Sequence, residues 1–270
     1  MSWFKLLRHD IRAGLFRRRY LVVPFIFVLS CIFCALRRFP ETAAAGWMDL
    51  VLFSFKGIHP LQRPEDFELP ISWFVIMAGS LYLQLDYLLE DLTEAGQQVI
   101  VRTVSRRSWF LSKCVWNLLS CCLIMALGLI TALVFALMTG GSISLSNTPE
   151  VTIYSLDWYM EAPLTVAQTL WIGVGLPLLT ITAFTQLQMT LCLLCKPILS
   201  FLISTSLLVA SLLLSTPWLP GNGAQTVRSS LLGGTLEPLI LTAVCGGLLV
   251  IGVVVGMIRF HRMDLLRYEE

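Results

Sequence analysis

Long apolar runs broken by short polar stretches organise this chain; neither the two-residue alternation of half-buried strands nor the narrow stripe of a soluble amphipathic helix prevails. Six runs stand out, at about 20–36, 70–89, 109–138, 164–194, 197–216 and 237–258. A helix rises 1.5 Å per residue, so about 20 apolar residues cross roughly 30 Å of hydrocarbon. The first run is short and ends at Arg37 and Arg38, while the third and fourth exceed the need and are expected to tilt or to continue past the bilayer. In hydrocarbon each backbone polar group must bond within the protein, which selects helices. The pattern therefore predicts an all-α integral membrane protein. It forms a single domain over 1–270, with six transmembrane helices preceded by a short interfacial helix at 2–17.

That first helix follows from spacing. Lys5, Arg8, His9 and Arg12 fall on one face, with Trp3, Phe4, Leu7, Ile11 and Leu15 opposite. Such a helix suits the membrane surface, basic face to headgroups and aromatics to the acyl boundary; a plain positively charged anchor is the alternative. The basic stretch is too long, and lacks the small-residue site, for a cleaved signal peptide.

Composition agrees with the membrane class. The 270 residues are 56% hydrophobic and 13% charged, with a mean hydropathy of +0.78. A net charge of +2 gives no reason to expect a nucleic-acid partner, so the placement of charge matters more than its sum. With six spans, 14 of the 19 basic residues fall on one side, in the N-terminal segment, 90–113, Lys196 and the C-terminal tail. The others are Arg37, Arg38, Lys56, Arg63 and Arg228. The bias puts both termini in the cytoplasm.

Candidate chemistry is sparse. The eight cysteines include two C-x-x-C pairs, Cys31/Cys34 and Cys192/Cys195, but both lie in apolar runs without clustered histidines, so small hydrophobic packing is expected. No phosphate-binding loop, no H-E-x-x-H and no nucleophile elbow occurs. Catalytic, metal-binding and cofactor-binding residues are therefore all expected to be absent, and the chain is not expected to be an enzyme. Four polar residues fall late in spans, Gln84 and Asp86 in the second, Gln186 and Gln188 in the fourth. Either they bond at the cytoplasmic boundary or they line a pathway. Pro177 should bend the fourth span. Residues 47–55 are expected as a short helix along the outer interface, and 229–232 either re-enter the outer leaflet or form a plain loop.

The conspicuous exception to all this grease is "EAGQQVIVRTVSRRSWFLSKCVWN", residues 94–117. Glu94 to Ile100 offer a short helix whose Val99 and Ile100 suit an apolar groove, with Gln97 and Gln98 able to reach backbone groups. Arg102 and Arg106 share a face four residues apart, Arg107 adds charge, and Trp109 and Phe110 anchor the interface. A basic loop with no partner is the competing reading.

The layout resembles the membrane subunit of an ABC exporter of the type-2 permease class. Arg102, Ser105, Arg106, Arg107, Phe110, Ser112 and Lys113 occupy positions of a basic run such permeases carry into the third span, and the last span leads into "IRFHRMDLL". The resemblance implies that 94–107 is a coupling segment docking on ATP-binding-cassette ATPase subunits, which carry the ATP and Mg. It also implies a second permease chain, identical or homologous, in a bacterial cell membrane, with membrane lipids as further partners. Small residues of the first and fifth spans, Cys31, Ser204, Ser206, Ala210 and Ser211, are then expected to let two chains approach. The expected cargo is hydrophobic or amphipathic: a peptide, a drug or a lipid-like molecule. A non-transporting scaffold or sensor and an ion-driven transporter remain as alternatives.

Overall fold

The computed structural model describes residues 3–15, 17–37, 44–61, 63, 67–93, 105–157 and 163–262. Nine helices carry the described fold. They are α1 (Trp3–Gly14), α2 (Val22–Ala35, entered through a 3-10 turn at Arg18–Leu21), α3 (Trp47–Ser54) and α4 (Ile71–Thr93). There follow α5 (Arg106–Thr139), α6 (Pro149–Leu156), α7 (Val166–Cys192), α8 (Pro197–Leu213) and α9 (Pro238–Arg262). Among the described residues no strand occurs. Four helical stretches, Arg18–Ala35, Arg106–Thr139, Val166–Cys192 and Pro238–Arg262, are long and apolar enough to cross a membrane, as expected of a membrane protein. Ile71–Leu85 and Pro197–Leu213 are shorter apolar helices.

The helices join two differently built ends. At one, Leu6 of α1 packs with Leu85 of α4, Trp109 and Phe110 of α5, Met189 and Cys192 of α7, and Phe260 of α9. At the other, Leu52 of α3 meets Leu156 of α6, Ile172 of α7 and the connection that carries Val227 and Leu232. The main core, including Phe27, Trp73, Ile124, Phe184 and Leu208, lies between. These ends are called the α1 end and the α6 end below.

Local chemistry sets the boundaries. Ser105 caps α5 by accepting a hydrogen bond from the Ser108 N–H at 3.1 Å, and Gly140, at φ 74°, ends it in the left-handed region. Thr165 and Gln168 cap α7 reciprocally. Pro177, where a bend is expected, follows a π-helical turn over Trp171–Gly175 within a continuous helical stretch. Proline cannot donate to the preceding turn, and the wider turn absorbs the missing hydrogen bond. Glycine permits two close helix approaches. A Cβ on Gly128 would lie 2.4 Å from Phe27 of α2, and one on Gly256 would lie 2.2 Å from Phe110 of α5.

Two expectations, for 47–55 and for Trp109 and Phe110, are corrected, and the connection left open at 229–232 takes a defined form. Met48 to Ser54 are all buried, so α3 is wedged between α2 and α5 rather than lying along an interface. Its two polar side chains, Asp49 and Ser54, are spent on internal hydrogen bonds to Gly46, Thr148 and Ser30 and offer no polar face to water or headgroups. Residues 220–232 form three short 3-10 turns, and Pro220 through Ser229 are buried beneath α7, α8 and α9. That connection is stitched to the chain after α3, with the Thr226 N–H donating to the Phe55 carbonyl at 2.9 Å and the Val227 N–H to the Lys56 carbonyl at 3.2 Å. Trp109 and Phe110 are buried in a stack with Phe260 rather than anchoring a surface, with Trp109 and Phe260 centroids 4.6 Å apart.

Candidate functional site

The α1 end is built around a buried ion pair. Leu6, Asp10 and Gly14 fall four residues apart on one face of α1, and all three are buried. The Lys113 ammonium donates to Asp10 Oδ1 at 2.7 Å, and Ser112 donates to Asp10 Oδ2 at 2.5 Å. Both members of the pair are 1% exposed. The ammonium also stands 5.0 Å from the centre of the Trp109 ring, where the face of the π system attracts a cation. A buried charge needs this much partnership, because desolvation otherwise exceeds the Coulombic gain. Gly14 closes the same face: a Cβ there would lie 2.1 Å from the Trp116 indole nitrogen. Arg106 ties the end together from another side, donating to the His261 carbonyl at 3.2 Å near the C-terminus of α9.

Above this brace a polar seam runs through the bundle interior. The Asn117 amide donates to the Thr182 carbonyl and to Gln186 Oε1, each at 3.4 Å. Gln84 donates to Cys121 Sγ at 3.2 Å, and Gln188 donates to the Leu81 carbonyl at 2.9 Å. The seam thus crosses α4, α5 and α7. Its amides are not all used: Gln186 Nε2 and Gln188 Oε1 are buried without a hydrogen-bond partner among the described residues. An unmet buried polar atom costs about 1–3 kcal/mol.

The α6 end carries a charged cluster. Arg37 Nη1 donates to both oxygens of Asp157, at 3.0 and 3.1 Å, and Lys56 pairs with the same carboxylate. Asp157 itself adopts the left-handed conformation, at φ 56°, as the C-cap of α6, a position that aspartate tolerates better than most residues. Burial pushes its carboxyl up, but the hydrogen bond and charge of Lys56, with Arg37, outweigh that and hold it below the usual range. Burial lowers the Lys56 ammonium, with Asp157 opposing. Nearby, Asp49 accepts from the Gly46 and Thr148 N–H groups at 3.0 and 2.8 Å, yet burial still raises its carboxyl to about 6.

A family model described as a protein of unknown function, DUF2705, matches residues 66–266. The chain belongs to that family. The DUF2705 match runs from the approach to α4 past the end of α9, so it includes Lys113 and Ser112 but not the Asp10 they hold. No curated protein and no solved structure matches the chain.

The residues singled out from the sequence part into groups. Glu94, Gln97, Gln98, Val99, Ile100 and Arg102 lie outside the described residues, as does the side chain of Asp86. Arg107 is exposed at the start of α5, while Arg106 bonds the end of α9. Gln84, Gln186 and Gln188 are drawn together by the seam; they face inward instead of reaching for the boundary. Cys31, Ser204 and Ser211 are buried in the chain's own interior, which leaves Ser206 and Ala210 as the accessible small residues of the five named. All eight cysteines are free, and no group of metal-binding side chains occurs among the described residues. Sequence reasoning missed Asp10 and Asn117. Asp10 did carry a signal, an acidic residue between the basic positions of α1, four residues from Leu6 and Gly14.

Proposed function

We propose that this chain is the membrane-spanning permease subunit of an ATP-binding-cassette exporter. It moves a hydrophobic or amphipathic substrate outward with ATP hydrolysed on a separate subunit. In this reading α2, α4, α5, α7, α8 and α9 are six crossings, the α1 end faces the bacterial cytoplasm, and α1 lies at that surface. The observation that carries it is the α1 end itself. The basic α1, the start of α5 and the end of α9 are bound into one unit through Asp10–Lys113, Phe260 and Arg106, and the 94–104 segment enters that unit at Ser105. Force applied to the segment by a partner would therefore reach three helices at once. The unmet amides of Gln186 and Gln188 support a pathway along the seam, because separation of α4, α5 and α7 would let water satisfy them.

The test is copurification of an ATPase and substrate-stimulated ATP hydrolysis in vesicles. Arg102→Glu with Arg107→Glu reverses two charges without removing the Arg106 bond to α9. Reversing charges at an interface changes affinity by about 1–5 kcal/mol, so ATPase docking or stimulation should fall at least about fivefold while the chain still inserts. Unchanged docking and turnover would remove the coupling reading.

A further inference from the structure

Between the α6 end of α2 and the start of α4 lies a cavity of about 570 Å³, a size that suits a small ligand. Its walls have two characters. Arg37, Lys56 and Asp157 give the lining its charge, and Phe33, Leu69 and Trp73 its apolar surface. Phe33 of α2 and Ile71 of α4 line it and are 50% and 57% exposed, so the cavity has a lateral apolar opening between two helices that flank lipid in the six-crossing arrangement, beside the exposed Asp157 and Glu68.

Among the described lining residues, two cations, Arg37 and Lys56, meet two acids, Asp157 and Glu68. Asp157 is shared by two cations, Arg37 and Lys56. Among the described residues, the hydrogen bonds of Arg37 all leave through Nη1, to Asp157 and to the Tyr154 carbonyl, which leaves Nε and Nη2 as donors. The guanidinium also lies 5.7 Å from the centre of the Phe53 ring, which holds its plane. Glu68 lies on the lining as a second acid. Behind the wall sits a third cation. Arg228 is 0% exposed and donates to the Ile58 carbonyl at 3.0 Å, and Ile58 lines the cavity. Its other acceptors are the carbonyls of Ser211, Leu212 and Leu214 and the side-chain oxygen of Asn222, all uncharged. Among the described residues, Arg228 thus adds a buried cation behind the wall whose own hydrogen bonds all go to uncharged acceptors.

We propose that this cavity binds an amphiphile with a single oxyanionic head, carboxylate or phosphate, and one apolar chain. The head bonds to the free edge of Arg37 and to Lys56, and the chain lies along Phe33 and Leu69 and leaves through the lateral mouth. The head competes with Asp157 for the two cations, which makes Asp157 the residue that limits affinity. This site needs no ATPase, so it stands or falls separately from the coupling reading.

The probe is 11-dansylaminoundecanoate, titrated into the purified full chain in phosphatidylcholine nanodiscs at pH 7.5 and followed by dansyl emission. Oleate and dioleoylphosphatidate should displace it, oleyl alcohol should do so at least tenfold less well, and inorganic phosphate should not. A charged hydrogen bond is worth about tenfold or more in affinity, so Arg37→Gln and Lys56→Gln should each weaken the probe by that factor. Asp157→Asn should tighten it, and Leu69→Trp, which narrows the mouth without touching a charge, should weaken it. Retention of a monodisperse chromatographic profile identifies variants that have kept the fold. Equal displacement by oleyl alcohol, displacement by inorganic phosphate alone, or probe affinity indifferent to both Arg37→Gln and Asp157→Asn in folded protein would overturn the site.

Discussion

Asp10 and Lys113 show how much a single pair can govern in a chain with so few charges. Each is buried, and removal of one takes a hydrogen-bonded counter-charge from the other, at about 3–5 kcal/mol. Asp10→Asn or Lys113→Met should therefore lower the thermal aggregation midpoint in mild detergent by many degrees and expose α1 to protease. The double change Asp10→Leu with Lys113→Met removes both charges together, and should recover most of that loss, because hydrophobic replacement of a buried pair is often neutral. A double variant as unstable as the worse single variant would mean that the pair is not what holds α1 to α5.

At the scale of elements, glycine decides how closely helices approach. Gly256 of α9 lies against Phe110 of α5, in the same stack as Trp109 and Phe260. Phe110 is 1% exposed and has no empty space to retreat into. Gly256→Ala should then cost about 1–3 kcal/mol through overpacking, despite the higher helix propensity of alanine. Phe110→Leu in the same chain removes the ring edge that a new methyl group would strike and should restore part of the stability. The readout is the thermal midpoint of the two single variants and the double variant. Additive losses would place the strain elsewhere.

For the whole molecule the decisive quantity is which end faces which solvent. The six-crossing arrangement puts residue 97 in the cytoplasm and the α5–α6 connection outside. Cysteines introduced at Gln97 and at Ser144, an exposed position in that connection, should label from opposite sides of sealed vesicles in a background without native thiols. Labelling from one side would remove the six-crossing topology.

Membrane class was legible in the chain because hydropathy is additive along it: a long apolar run must be buried in something, whatever its neighbours do. Pro177 was equally legible as a local disturbance of the fourth run, since proline acts within one turn, and a π-helical turn stands just before it. The rotation of each helix was not. On a segment apolar all round, nothing in the pattern says which side meets a partner, so α3 looked like a surface helix and Trp109 and Phe110 like anchors until packing buried them. Gln84, Gln186 and Gln188 were visible as polar residues in grease, but their convergence depends on how α4, α5 and α7 are turned. The pairings Asp10–Lys113 and Arg37–Lys56–Asp157 join residues about a hundred positions apart. Sequence alone therefore determined what each segment had to be buried in, through local and additive physics. Only tertiary structure decided which charges meet, because that follows from the mutual placement of helices and from the desolvation that makes each buried charge find a partner.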